Sequence, residues 1–128
     1  MKKFILFLLT IPFIAATTYA PDFGGITQAI GKGDAATLSK YMDNQVDLFV
    51  LGSETKVEKV EATAELKKFF ATNAVTGFQL LHQGISKDQT SHYGIGDLTA
   101  GGKTMRVMVY LRDVSGQFKI QELRFERK

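Results

Sequence analysis

Four runs near the C-terminus, FQLLHQGI (78–85), HYGIGDL (92–98), TMRVMVYL (104–111) and FKIQELRFER (118–127), fix the architecture of this 128-residue chain. Each is short, apolar and rich in β-branched or aromatic residues. Between them lie Ser86-Lys87-Asp88-Gln89, Ala100-Gly101-Gly102-Lys103 and Asp113-Val114-Ser115-Gly116, which carry turn chemistry. That alternation predicts an antiparallel meander. Gly84, Gly94 and Gly96 fall inside the runs, and interior glycines mark bulges or sharp curvature. In the third run Met105, Val107, Val109 and Leu111 form a fully apolar face, the better candidate for the core. Arg106, Met108 and Tyr110 then belong to a second face that is too apolar for bulk solvent alone, which points to a partner. The last run changes parity: Phe118 and Ile120 alternate, then Leu123 and Phe125. A bulge near Gln121-Glu122 keeps all four on the core side. Glu122, Arg124, Glu126 and Arg127 read as a solvated cross-strand charge ladder.

Upstream, residues 59–72 give the clearest helix, with Ala62, Leu66, Phe69 and Phe70 on one face and Glu61, Glu65, Lys67 and Lys68 on the other. Asn73 is its expected stop. Residues 22–42 read as two short helices. Phe23, Ile26, Ala29 and Ile30 line the first, Gly31 and Gly33 end it, and Asp34 is the N-cap of the second. Ala35, Leu38, Tyr41 and Met42 share a face there. Asn44 marks a turn. Val46, Leu48 and Val50 belong to a strand stopped at Gly52-Ser53, with a weaker segment at 55–57 pairing back. Helices first and in the middle, strands last, predict an α+β domain rather than a parallel α/β sheet. A strongly curved sheet wrapped over the Phe- and Leu-bearing helix makes a cone.

The first 20 residues have the three parts of a secretory signal: basic Lys2-Lys3, an apolar stretch from Phe4 to Ile14, and small or polar residues up to Ala20. The apolar stretch is short for a spanning helix and contains Pro12. Cleavage after Ala20 or Ala16 leaves one domain over 21–128, exported to the periplasm or the medium without a stable membrane anchor. The whole chain has 16 Lys+Arg and 13 Asp+Glu. Removing Lys2 and Lys3 leaves a balance of only +1, which argues against nucleic-acid binding. With no cysteine, the fold rests on its core alone.

The segments LKKFF (66–70), 78–84, HYGIG (92–96), Arg106-Val107 and IQELRF (120–125) resemble a Bacteroidota family of secreted proteins of unknown function. The layout is similar to the nuclear-transport-factor-2-like, or cystatin-like, fold, in which a bent antiparallel sheet and three helices enclose a conical cavity. The resemblance implies this fold for nearly all of 21–128, and it implies no activity, since the fold hosts isomerases, dehydratases, hydrolases and binding proteins alike. Enzymes of the broad fold place an Asp, His or Tyr inside the cone, and sheet-to-sheet homodimers are frequent among its members.

Polar candidates for such a role are Tyr41, Asp47, His82, His92, Tyr93, Asp97, Arg106 and Tyr110. Of these, His82, Tyr93, Arg106 and Tyr110 form the expected ligand-binding set, and Tyr93, Arg106 and Tyr110 give an apolar pocket with polar tips if their faces look into the cone. His92, beside Ser91, is expected at the surface. No spacing of His and carboxylates suits a metal, no cofactor loop is present, and no residue is assigned as catalytic. The expectation is therefore an exported, non-enzymatic binding or interaction domain. It dimerises through its sheet and holds a small apolar ligand in the cone or contacts an envelope protein. The alternative is a small lyase or isomerase using His82 or Asp97 with Tyr93. That alternative needs an open cone, and it fails if Phe23, Phe69, Phe70 and Phe78 fill the space.

Overall fold

The computed structural model describes Pro12 and residues 23–128, so the leader expected over residues 1–20 and its cleavage site fall outside the described fold. Helix α1 (Phe23–Gly31) buries Phe23, Ile26, Ala29 and Ile30. It ends where Gly33 takes a left-handed conformation (φ +63°), and the N–H of Asp34 reaches back to the Ala29 carbonyl at 2.8 Å. This is a glycine-terminated helix end. Asp34 then starts α2 (Ala35–Ser39): its Oδ1 accepts the Thr37 N–H at 3.1 Å. The Thr37 hydroxyl donates to its Oδ2 at 2.6 Å, so both oxygens hold the first turn.

Strands β1 (Met42–Val50) and β2 (Ser53–Glu58) form a hairpin. Its two-residue turn, Leu51-Gly52, has φ of +49° and +93°. The turns at Gly101-Gly102 and Ser115-Gly116 have the same sign pattern, which matches the right-handed twist of the flanking strands. Helix α3 (Lys59–Thr72) buries Ala62, Leu66, Phe69 and Phe70 and stops at Asn73. There the Asn73 N–H and side-chain amide both donate to the Phe69 carbonyl, at 2.8 and 3.1 Å. The meander follows as β3 (Val75–Ile85), β4 (Ser91–Ala100), β5 (Lys103–Val114) and β6 (Gln117–Arg127).

The six strands form one sheet in the order β2-β1-β6-β5-β4-β3. It is mixed rather than wholly antiparallel, because β1 pairs with β6 in parallel. Local turn signals report hairpins between neighbours in sequence. The β1–β6 pairing joins residues 75 to 78 positions apart in sequence and leaves no such signal. Asn44 lies inside β1 rather than in a turn; the strand is irregular there, its register against β6 shifting between Met42 and Asp47. The expected bulge in the last strand is present: Tyr110 pairs with Glu122 and Leu111 with Ile120, leaving Gln121 extra. A second bulge sits in β3, where Leu80 opposes Gly96 and His82 opposes Ile95.

The helices cover one face of the sheet. Met105, Val107, Val109 and Leu111 of β5 are buried in a single core with Leu98, Ile120, Leu123, Phe125 and the apolar faces of α1, α2 and α3. Phe125 is at its centre. The Phe69 ring packs against it at 4.8 Å between centroids, and the Phe70 ring meets it edge-on at 6.0 Å. Phe23, Phe69 and Phe70 are buried, and Phe78 packs against the same cluster. The interior between helices and sheet thus holds the four rings named as the test of an open cone.

The strand glycines turn out to be seats for side chains. A Cβ at Gly96 would stand 2.4 Å from the Gln79 carbonyl oxygen and 2.5 Å from the Phe78 ring. At Gly94 it would meet the Phe23 ring at 2.8 Å. The absence of a side chain on β4 is what lets α1 and Phe78 close onto the sheet.

Candidate functional site

The pairing registers arrange the other face of the sheet, away from the helices, in cross-strand rows. One row runs Lys56, Asp47, Glu122, Tyr110, Tyr93 and Gly84 from β2 to β3. The next runs Glu54, Phe49, Arg124, Met108, Ile95 and His82. A third holds Glu126, Arg106, Asp97 and Gln79. All four residues of the expected ligand set therefore lie on this outer face and none faces the core. Tyr93 and Tyr110 are direct cross-strand partners. His82 belongs to the adjacent row and Arg106 to the one beyond it, so the four do not converge on one point.

Each has a local role. The Tyr93 ring lies across Gly84, where a Cβ would be only 2.1 Å from it, yet Tyr93 stays 41% exposed. The Tyr110 hydroxyl shares a 2.8 Å hydrogen bond with Ser91 Oγ. Arg106 Nε donates to Asp97 Oδ1 at 3.2 Å, and Lys128 Nζ donates to Oδ2 at 2.8 Å. The Lys128 bond first, and the Arg106 bond with it, hold the Asp97 carboxyl below its ordinary range. An ionised carboxylate with both oxygens engaged is a poor general base. His82 is exposed. His92, expected at the surface, is instead half-buried on the helix side of the sheet, its ring edge-on to Phe118 at 4.5 Å. Burial pushes its pKa down, because desolvation disfavours the imidazolium.

The middle of the outer face is apolar with one embedded cation. The Arg124 guanidinium stacks over Phe49, 4.3 Å from the ring centroid. Its Nε lies 3.3 Å from Glu122 and 3.4 Å from Glu126. The Nε–H makes no hydrogen bond at a bonding angle among the described residues, so charge attraction and stacking hold it. The expected charge ladder thus runs along β6 within one strand rather than across strands.

Beside this strip a polar cleft of about 380 Å³ opens where β1 and β6 lose register. Asp43, Gln45 and Asp47 line it from alternate positions of β1, and Gln121 and Glu122 from the β6 bulge. Tyr110 and Arg112 from β5 and Lys56 from β2 complete it. Gln121 donates its side-chain amide to Asp43 Oδ2 at 2.9 Å. That bond first, then the Asn44 N–H, lowers the Asp43 pKa, and Lys119 and Arg112 assist from a distance. Apart from Asp47 and Tyr110, sequence reading did not single out these residues as candidates. The signal available was the Asp43-x-Gln45-x-Asp47 alternation, which puts three polar side chains on one face of a strand. Among the described residues no group of three or more His, Cys, Asp or Glu is placed to hold a metal ion. No helix among them is long and apolar enough to cross a membrane.

Comparison with known proteins places the chain. A solved structure of a DUF4783 family protein from Bacteroides ovatus superposes with a TM-score of 0.78 at 35% identity, covering 86% of this chain and 96% of that one. A protein of unknown function with a cystatin-like fold from Nostoc punctiforme gives 0.64 at 13% identity, over 83% and 85%. An NTF2-like family protein from Streptomyces avermitilis gives 0.60 at 12%, over 83% and 91%. The latter two likenesses concern the fold alone. No curated protein matches the chain. The model of the domain of unknown function DUF4783 matches residues 23–126. With six curved strands and three helices in the NTF2-like, cystatin-like arrangement, the chain belongs to the DUF4783 family.

Proposed function

We propose that this protein is a non-catalytic binding domain that acts after export and recognises its partner through the outer face of the sheet. The first partner is a second copy of itself. The observation that carries this reading is the contrast between the two faces. The helix side is closed by Phe69, Phe70 and Phe125 in ring contact. The outer side keeps Phe49, Ile95, Met108, Tyr93 and Tyr110 only partly covered. An apolar strip with stacked arginine and aromatics, rimmed by charge, has the composition of an interface centre. His82, Tyr93, Arg106 and Tyr110 act in this reading as contact residues spread over the face rather than as a pocket.

A small apolar ligand has a different place to go. A groove of about 310 Å³ lies between α3 and the β1–β2 hairpin, with Leu48, Val50, Val57 and Ala64 as its apolar wall. Glu61 and Glu65 stand at its edge, which suits a neutral ligand better than an anion. An envelope protein on the outer face is the further alternative partner.

Native mass spectrometry of protein purified from its own host tests these readings together. The expected result is a dimer that Met108→Glu converts to monomer. A retained apolar molecule that survives Met108→Glu places the ligand in the α3 groove. A wild-type monomer carrying no ligand removes the dimer and the ligand at once.

A further inference from the structure

The cleft at the β1–β6 register shift has a chemistry of its own, independent of the dimer reading. We propose that it binds a small zwitterion, a molecule carrying one carboxylate and one ammonium group. Its volume, about 380 Å³, is at the small end of ligand pockets and suits a free amino acid or a very short peptide.

The ligand class follows from which groups are already engaged. Asp43 accepts the Gln121 amide at 2.9 Å and the Asn44 N–H at 2.8 Å. Glu122 has Arg124 at 3.3 Å, and Tyr110 has Ser91. Asp47, Lys56 and Arg112 are left, with no hydrogen bond or ion pair among the described residues. Asp47 and Lys56 are cross-strand partners in register, yet they do not close to an ion pair. One anion and two cations without a direct hydrogen bond or ion pair thus share one cleft, Arg112 acting on Asp43 only from a distance.

A neutral polyol would cover these three charges without neutralising any of them, which is unfavourable. A plain carboxylate would satisfy Lys56 and Arg112 but leave Asp47 facing it, and a plain amine would do the reverse. A zwitterion satisfies both sets: its ammonium on Asp47, its carboxylate on the Arg112 fork with Lys56 as a second charge. The sheet keeps the site open. Between the pairs Met42–Ile120 and Asp47–Glu122, β1 carries four residues against the single Gln121 of β6. The two strands therefore cannot zip shut there.

The test is an amide NMR titration of the ¹⁵N-labelled domain with L-alanine, and separately with acetate, methylammonium and glycerol. The expected result is a saturable shift of amides at 43–47 and 121–122 with L-alanine at about 10 mM or below. The other three should give none that saturates in this range. Asp47→Asn and Arg112→Gln should each weaken the L-alanine response about tenfold or more, with the rest of the spectrum unchanged. The proposal is overturned if L-alanine gives no saturable shift, or if acetate, methylammonium or glycerol matches it. Should either variant lose its fold, the four wild-type titrations still decide.

Discussion

Strand β5 presents two surfaces made from alternate residues of one segment. Met105, Val107, Val109 and Leu111 are sealed beneath the helices, while Arg106, Met108, Tyr110 and Arg112 stand open on the other side. Both sets contain apolar residues, so hydrophobicity alone does not separate them. What separates them is what the rest of the chain supplies. The stripes of α1 and α3 meet the first set, and the described chain brings nothing to the second. The closed face accounts for stability, and the open face is where partners are to be sought.

The largest effect should come from the closed face. Phe125→Ala removes the ring that Phe69 and Phe70 pack against and should cost about 3–5 kcal/mol in urea unfolding. Met108→Ala, on the same sheet but the open face, should change monomer stability by less than about 1 kcal/mol. Equal losses would erase the distinction between the faces. Next come two glycines with similar clashes on opposite sides. Gly96→Ala drives a methyl into the Gln79 carbonyl and the Phe78 ring and should cost about 1–3 kcal/mol. Gly84→Ala meets only the outer end of the Tyr93 ring, which can swing into solvent, so its cost should stay below about 1 kcal/mol.

Self-association should respond in the opposite pattern. Met108→Glu should weaken the proposed dimer about tenfold or more in sedimentation, while its urea midpoint, measured where the protein is monomeric, stays within error of the wild type. The smallest effect concerns the β3–β4 turn. Asp88 accepts the Ser86 hydroxyl and the Thr90 hydroxyl and N–H, which lower its pKa to about 2. A carboxylate depressed in the folded state adds stability above its unfolded value, near 3.9, and that contribution is lost as pH falls through about 2. A carboxyl NMR titration of Asp88 with a midpoint near 4 would mean that the turn bonds do not form in solution.

Much of the closed face was legible in the residues. The stripe of α3, the Asp34 cap and the alternation of β5 are local patterns, and the structure repeats them. So is the parity change around Gln121, where a one-residue slip has only one remedy that keeps Ile120, Leu123 and Phe125 buried together. The interior glycines were legible as special but not as seats, since the atoms that need the space, Phe23 and Phe78, come from elsewhere in the chain. The parallel β1–β6 pairing is equally non-local. It also produces the cleft, which is why Lys56, Arg112 and Gln121 could not be grouped from sequence. Strand parity put Tyr93 with Ile95 and Arg106 with Tyr110, and the pairing sets these residues on one outer face, where His82, reached by no parity argument, also lies. Parity says which residues share a face, but not whether that face looks into the cone.

Methionine placement allows both faces to be probed at once. Met42 and Met105 are buried, and Met108 stands on the outer face. In a ¹³C-methyl-methionine spectrum with a soluble nitroxide added, Met42 and Met105 should stay sharp at every protein concentration. Met108 should broaden in dilute protein and sharpen again as concentration rises and the second copy covers it. Broadening of Met105 would contradict the closed cone, and a Met108 signal equally broadened at all concentrations would contradict the dimeric outer face.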